Sequence, residues 1–332
     1  MTLEEAVKNL NALGISYKVL ETGTDGAALM LPEYGRILGL WPVWRGENAF
    51  WINPEFFRSL SIGAKQTEWV NPGGDRMWLY PEEEFFRVNA GLPDESYAVP
   101  HALDPGRFTG SVDKIGYVME NRGDLWASGA GARIGFRIVR RIRTYGEKEL
   151  VKLWGTTYLR QAGYDEETSF EIEDSPVPVG VWNALYLAVG GSAHFPLDTP
   201  LGMKPIGVDC EVHDGCAVVP CLGNRSVRFS LEAPRIKARG AWFAVNAETG
   251  RSTLVLKEFG KAERRPGAEL PAAEDGGTGI RCRGRHSPDC ELHFHSPAAA
   301  PGRKRKAVWK HSVWAFSGRV EEVREFLRRV TA

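Results

Sequence analysis

The sequence carries no net charge: 42 lysines and arginines stand against 42 aspartates and glutamates. A balanced chain has no long-range field to gather polyanions, so neither nucleic acid nor an anionic membrane surface is expected as a partner. Long hydrophobic runs are also missing. No stretch approaches the roughly 18 apolar residues that a membrane-spanning helix needs. Met1 is followed by Thr-Leu-Glu-Glu-Ala-Val-Lys, without the basic and apolar regions of a secretory leader, which predicts a cytoplasmic protein. Cysteine is scarce and odd in number (Cys210, Cys216, Cys221, Cys282 and Cys290), and reduced thiols are expected rather than a disulfide framework. Three catalytic signatures are absent: the Gly-x-Ser-x-Gly elbow, the P-loop and a helix-opening Gly-x-Gly-x-x-Gly. Hydrolase-triad, nucleotidase and dinucleotide readings therefore gain no support, and no cofactor is expected.

What the chain does contain is β-forming residues in short runs. After a helical spacing of Leu3, Ala6, Val7 and Leu10, ended by Gly14, the pattern turns to Val, Ile, Tyr, Phe and Trp. Runs such as 15–20, 27–31, 36–41, 133–142, 150–161, 226–231, 242–246 and 253–259 are cut at close intervals by turn residues. With 37 glycines and 20 prolines, the pattern predicts an all-β sandwich or barrel. Residues 261–289 read as a long exposed loop, and the basic cluster within 298–306 as a solvated one. Val320, Val323, Phe326, Leu327 and Val330 form a helical stripe expected to dock on the sandwich. No repeat and no linker divides the chain. One domain over 1–332 is expected, with an N-terminal helix in 1–14 and a C-terminal helix in 319–332.

Two segments carry chemistry. In Asn71-Pro72-Gly73-Gly74-Asp75-Arg76-Met77-Trp78-Leu79-Tyr80-Pro81-Glu82, a glycine turn leads into a strand that alternates Arg76, Trp78 and Tyr80 onto one face. A guanidinium fork beside flat rings suits a sugar, whose hydroxyls accept from the cation while its C–H face packs on the ring. The plainer alternative is a core strand with Arg76 paired to Asp75 or Glu82. In Cys290-Glu291-Leu292-His293-Phe294-His295, Glu291, His293 and His295 share a face, and that face is either wet or lines a site. A carboxylate beside imidazoles can act as an acid–base pair. His293 and His295 could instead chelate a metal with Cys282, His286 or His311, although their spacing matches no standard zinc module.

In order along the chain, four segments resemble the galactose mutarotase-like superfamily, which includes the aldose 1-epimerases. These are Glu33-Tyr34-Gly35-Arg36-Ile37-Leu38-Gly39-Leu40; Gly73 to Glu82; Pro178-Val179-Gly180-Val181-Trp182-Asn183-Ala184-Leu185 with Gly190-Gly191; and Asp289 to Pro297 with Pro301-Gly302. The resemblance implies a galactose mutarotase-like β-supersandwich with a sugar cleft on a concave face and a small-molecule carbohydrate as ligand. A sandwich of this size can be a monomer, and exposed sheet edges could equally pair it into a homodimer. Carried over residue by residue, it implies Glu291 as the base on the anomeric hydroxyl and Arg76 as the residue orienting sugar hydroxyls. Trp78, Glu82, Asn183 and His295 would complete the binding site. Where the epimerases carry a histidine acid, this chain reads Val181-Trp182-Asn183-Ala184-Leu185, so the acid would be His293 by preference, or His194. Three functions follow as expectations: an epimerase-like isomerase, a non-catalytic carbohydrate-binding protein, or a metal-dependent β-sandwich enzyme.

Overall fold

A computed structural model describes residues 1–61, 69–88, 96–155, 158–197, 210–223, 227–231, 239–259, 278–282, 288–296 and 298–332. Most are in strands. One antiparallel sheet holds β1 (Lys18–Thr22), β2 (Gly26–Leu31), β3 (Arg36–Trp41), β4 (Asp75–Tyr80), β11 (Gly180–Ala188), β15 (Val227–Leu231), β18 (Thr278–Cys282) and β19 (Asp289–His295). Their spatial order is β1-β2-β3-β4-β11-β19-β18-β15. The second sheet holds β7 (Thr109–Val112), β8 (Tyr117–Ala127), β9 (Ala132–Thr144), β10 (Arg160–Ser175), β12 (Gly191–Pro196), β13 (Glu211–His213), β14 (Cys216–Cys221), β16 (Arg239–Asn246), β17 (Arg251–Phe259) and β20 (Gly302–Arg319). Its order is β13-β14-β12-β16-β17-β20-β10-β9-β8-β7. Strands β5 (Arg87–Val88) and β6 (Ser96–Tyr97) form a separate pair. The expected all-β architecture is present as two stacked antiparallel sheets.

The two sheets read differently in sequence because they are covered differently. Strands β2, β3 and β4 are buried along their whole length. One face of β2 and β3 meets the other sheet, and the opposite face is roofed by two helices. Helix α1 (Leu3–Ala12) begins at Thr2, whose hydroxyl accepts from Glu5 N while Glu5 reaches back to the Thr2 N–H. Its Leu3, Ala6 and Leu10 pack with Phe56 and Phe57 of α2 (Pro54–Ser61) over Ala27, Leu29, Leu31 and Leu38. Strand β10 by contrast alternates. Tyr164, Glu166, Thr168, Phe170 and Ile172 are buried, whereas the intervening Asp165, Glu167, Ser169 and Glu171 are partly exposed and Glu173 is exposed. On that outer face the charges pair across strands: Arg137 with Glu120 and Glu171, Arg141 with Asp113 and Glu167, Lys310 with Glu167, and Lys306 with Glu171. The neutrality of the chain is thus partly a cross-strand lattice of opposite charges.

Beyond the charged rows, this outer face is covered by helices. Val323, Phe326, Leu327 and Val330 of α5 (Val320–Thr331) pack on Leu254, Leu256, Trp314 and Phe316, with Leu150 of α4 (Glu147–Trp154) in the same cluster. Each such side chain contributes about 1.5–3 kcal/mol when fully buried. Helix α3 (Glu82–Phe85) follows β4 directly.

Several sequence expectations change. Residues 150–161 were expected as strand, but α4 runs to Trp154. The Glu149 carboxylate accepts from the Gly146 N–H, and Gly155 closes the helix in the left-handed region at φ 62°. The helical spacing of Leu150 and Trp154 prevails over their β propensity. The basic cluster in 298–306 was read as loop, but from Gly302 onward it is the start of β20, with Lys306 paired to Glu171. Of the long loop expected over 261–289, residues 261–277 and 283–287 lie outside the described residues, and 278–282 are strand β18. Cys210, Cys216 and Cys221 are in no disulfide, whereas Cys290 is disulfide-bonded, so the expected reduced thiols hold for the first three and not for Cys290. Among the described residues no helix is long and apolar enough to cross a membrane.

Candidate functional site

The register of three neighbouring strands brings distant motifs onto one face. Arg76 lies opposite Ala184, which lies opposite His293; Trp78 lies opposite Trp182, which lies opposite His295; Tyr186 lies opposite Glu291. Directly paired residues in an antiparallel sheet point the same way. Arg76, Trp78, Trp182, Tyr186, Glu291, His293 and His295 therefore share the face turned away from the second sheet. Asp75, Met77, Asn183, Leu185, Leu292 and Phe294 point inward. The turn that delivers β4 requires glycine: Gly74 has φ 73°, and a Cβ there would lie 2.4 Å from the Ile37 carbonyl oxygen.

Arg76 is the centre of the outer group. It is 1% exposed, and its Cζ sits 3.3 Å from the Trp78 ring centroid, 4.3 Å from that of Trp182 and 5.5 Å from that of Tyr186. Desolvated cation–aromatic contacts of this kind are worth about 2 kcal/mol. Its Nε donates to the Tyr186 hydroxyl at 2.7 Å, and the closest approach to the Glu291 carboxylate is 3.7 Å, from the guanidinium NH2. The two terminal guanidinium nitrogens have no hydrogen-bond partner among the described residues, and neither do the indole nitrogens of Trp182 and Trp69. Trp78 is pinned from behind, its indole nitrogen donating to Asp104 Oδ2 at 3.0 Å, where Arg36 also bonds. His295 stacks on Trp182 with centroids 6.0 Å apart and meets Tyr80 edge-on at 4.6 Å and His293 at 5.6 Å. Trp69 covers Trp78 and Trp51 covers Tyr186. A fixed cation with unused donors, aromatic walls, a carboxylate and two imidazoles are thus gathered in one enclosed place.

Not every expected site residue joins them. Asn183 was assigned to the sugar, but it is one position out of phase with that face. Its Nδ2 donates inward to Asp75 Oδ1 at 2.5 Å and to the Arg76 carbonyl at 3.0 Å, and its Oδ1 accepts from Lys257. Trp182 holds the outward position instead. Glu82 opens α3 and accepts a hydrogen bond from Tyr97. His194 lies on β12 in the other sheet, bonded to Ser192 at 2.8 Å, with burial pushing its imidazole down to about 4. Trp182, Tyr186, Trp69 and Asp104 were not singled out from sequence. Strict alternation along 180–188 would have found the first two, whereas nothing local marks the others.

The inward face carries a second constellation, wholly buried between the sheets. Arg140 donates to both oxygens of Glu166 at 2.7 Å and to Asp75 at 3.1 Å. The Tyr164 hydroxyl donates to Asp75 at 2.8 Å, Lys257 lies 3.6 Å from it, and His311 lies 3.5 Å from Glu166. Asp75, Glu166 and His311 have ligand atoms close enough to hold a metal ion. However, two carboxylates are already matched by the cations Arg140 and Lys257, which occupy the place that a metal's charge would take. His311 was expected as a companion of His293 and His295; it stands instead with Asp75 on the far side of the sheet. Cys282, as a side chain, and His286 lie outside the described residues.

Burial works against the Asp75 and Glu166 carboxylates, but their cationic neighbours, Lys257 foremost for Asp75 and Arg140 for Glu166, hold both below the usual range. Burial, then Lys257, pushes His311 below its ordinary 6.5. The signs agree: lowered carboxylates lose their stabilising contribution as pH falls, and lowered imidazoles stay neutral while the unfolded chain takes up protons. Stability is therefore expected to decline on acidification from about pH 6.5, through His311 and His194, and more steeply below about pH 4. Urea midpoints measured down this range test it, and a flat midpoint would show the network to be titration-neutral.

Two concavities of about 500 and 580 Å³ lie on the outer face of the second sheet, lined by Arg141, Asp165 and Lys310 and by Arg137 and Glu171 respectively. These charges already pair with one another, so no donor set waits there for a ligand. The Arg76 face is the better candidate.

The chain is similar in fold to galactose mutarotase-like proteins. One such protein from Lactobacillus casei matches over 90% of this chain and 100% of its own, at 11% identity and a TM-score of 0.43. Galactose 1-epimerase from Lactobacillus acidophilus matches over 90% and 94%, at 9% identity and a TM-score of 0.39. The 4-alpha-glucanotransferase of Thermococcus litoralis matches over 90% of this chain and 41% of its own, at 11% and 0.37. No family model matches the chain, and no curated protein matches it. At these values the likeness concerns outline and bears on neither ligand nor chemistry.

Proposed function

We propose that this protein binds an uncharged sugar on the face formed by Arg76, Trp78, Trp182 and Glu291, and exchanges its anomers with Glu291 as general base and His293 as general acid. The observation that carries this reading is Arg76. A buried guanidinium with its Nε fixed and both terminal nitrogens unused is costly unless a ligand supplies acceptors. Hydroxyl oxygens do so, while Trp78 and Trp182 offer flat surfaces to a pyranose. An anionic ligand fits less well, because the Glu291 carboxylate stands 3.7 Å from the same guanidinium.

The chemistry balances without a co-reactant. Glu291 takes the proton of the anomeric hydroxyl, the C1–ring oxygen bond breaks, and the ring oxygen receives a proton from the His293 imidazolium. Rotation of the open aldehyde and reversal of the same transfers closes the ring as the other anomer and restores both residues. A general acid or base typically contributes about 10²–10⁴-fold. Glu291→Gln is thus expected to slow anomeric exchange by about that factor while sugar affinity changes little. Saturation-transfer NMR over reducing sugars, followed by exchange spectroscopy on each binder, measures both. Absence of any binding would remove the carbohydrate reading altogether.

A second reading, binding without catalysis, is supported by the motif resemblance, in which Trp182 and Asn183 fall in the segment that carries the epimerases' acid. It predicts affinity with no acceleration of exchange in the wild-type protein.

A further inference from the structure

We infer that Asn183 is a positioning residue, which acts from the inner face of the sheet to set the placement of Arg76 on the outer face. This rests on Arg76 being the centre of the proposed sugar site. Strand β4 is weakly tied on one side: its only backbone pairing with β3 among the described residues is Ile37 with Asp75. Side chains supply what the ladder there does not. Arg140 donates to the Gly35 carbonyl and, at 3.3 Å, to the Asp75 carbonyl, linking the entry of β3 to β4. Arg36 donates to the Gly73 carbonyl at 2.9 Å. Asn183 holds the next carbonyl, that of Arg76 itself, and with its second amide proton it holds the Asp75 carboxylate.

The peptide groups on both sides of the Arg76 Cα are therefore fixed from below, by Arg140 on one side and Asn183 on the other. Asn183 is in turn oriented by Lys257, whose ammonium bonds its Oδ1. This settles the amide's direction, oxygen to the cation and nitrogen to the two acceptors. A Cα shift approaching an ångström, if the side chain moved with it, would stretch the 2.7 Å bond from Arg76 Nε to the Tyr186 hydroxyl out of hydrogen-bond range and change the height of the guanidinium over the Trp78 ring. Sites whose supporting shell is loosened by such amounts lose function even when the contacting residues are intact.

The test needs a readout on Arg76 itself. Its Nε–H resonance, assigned by its disappearance in Arg76→Met, should lie upfield because it sits against the Trp78 ring. In Asn183→Ala, checked as folded by an unchanged Trp314 indole signal, the expected result is loss of that shift. Any sugar that the wild-type protein binds is expected to bind at least about tenfold more weakly, although Asn183 does not face it. A folded Asn183→Ala protein with the Arg76 resonance unmoved overturns the inference. If that variant does not fold, Asn183→Leu removes both amide donors at nearly constant volume, and its Arg76 resonance is read with the same two outcomes. Should the wild-type protein bind no sugar in the panel, the proposed function fails while the resonance still decides the positioning role.

Discussion

Replacing Arg140 with leucine is expected to destabilise the fold by about 3–5 kcal/mol, the usual consequence of removing one partner from a buried ion pair. Both Glu166 oxygens lose their donor at 2.7 Å, and Asp75 loses one at 3.1 Å, with no route to water. Lys257 remains for Asp75, but among the described residues Glu166 keeps only the Thr168 hydroxyl and His311 beside it. The neighbouring residue is the natural control. Arg141 points to the outer face, where it pairs with Asp113 and Glu167 while partly exposed, so Arg141→Leu should cost less than about 1 kcal/mol. Urea denaturation of the two variants separates a buried from a surface guanidinium one residue apart. Adding Glu166→Leu to Arg140→Leu should recover part of the loss, since removing both charges also removes the unmatched one. Equal effects of the two single variants would mean that the inter-sheet network does not hold the sheets together.

The second large effect is expected at Arg76. Methionine is close in length and can keep much of the packing against Trp78 and Trp182, but it lacks the donors. Hydrogen bonds to a charged group are worth about 1.5–3 kcal/mol, so sugar affinity should fall roughly 10–100-fold in Arg76→Met. Unchanged affinity in a folded Arg76→Met protein would place the ligand elsewhere.

Much of this site was legible in sequence because strand periodicity is strict. Arg76, Trp78 and Tyr80 on one side and Glu291, His293 and His295 on the other were assigned to faces by counting alternate residues, and the register of β4, β11 and β19 makes those faces the same. That last step is a tertiary fact: residues 76 and 291 meet only because β11 lies between them. The same counting, applied to 180–188, would have exchanged Asn183 for Trp182; the motif resemblance drew attention to the asparagine instead. The Asp75–Arg140–Glu166–Lys257–His311 network was invisible for a different reason. Each member is one charged residue among others in its strand, and only the stacking of two sheets shows that these five neutralise one another. Helix α4 shows a third kind of difference, in which a capping glutamate and a closing glycine outweighed local β propensity.

The place of β20 has a consequence for how the molecule is made. Strand β20 lies between β17 and β10, so it joins five strands on one side of the ten-stranded sheet to four on the other. Its residues, 302–319, leave the ribosome after all nine of those strands. Without β20 the strands on either side can pair only as two half-sheets with open edges at β10 and β17, and open edges recruit foreign strands. A stop codon just before residue 302 would leave both edges open.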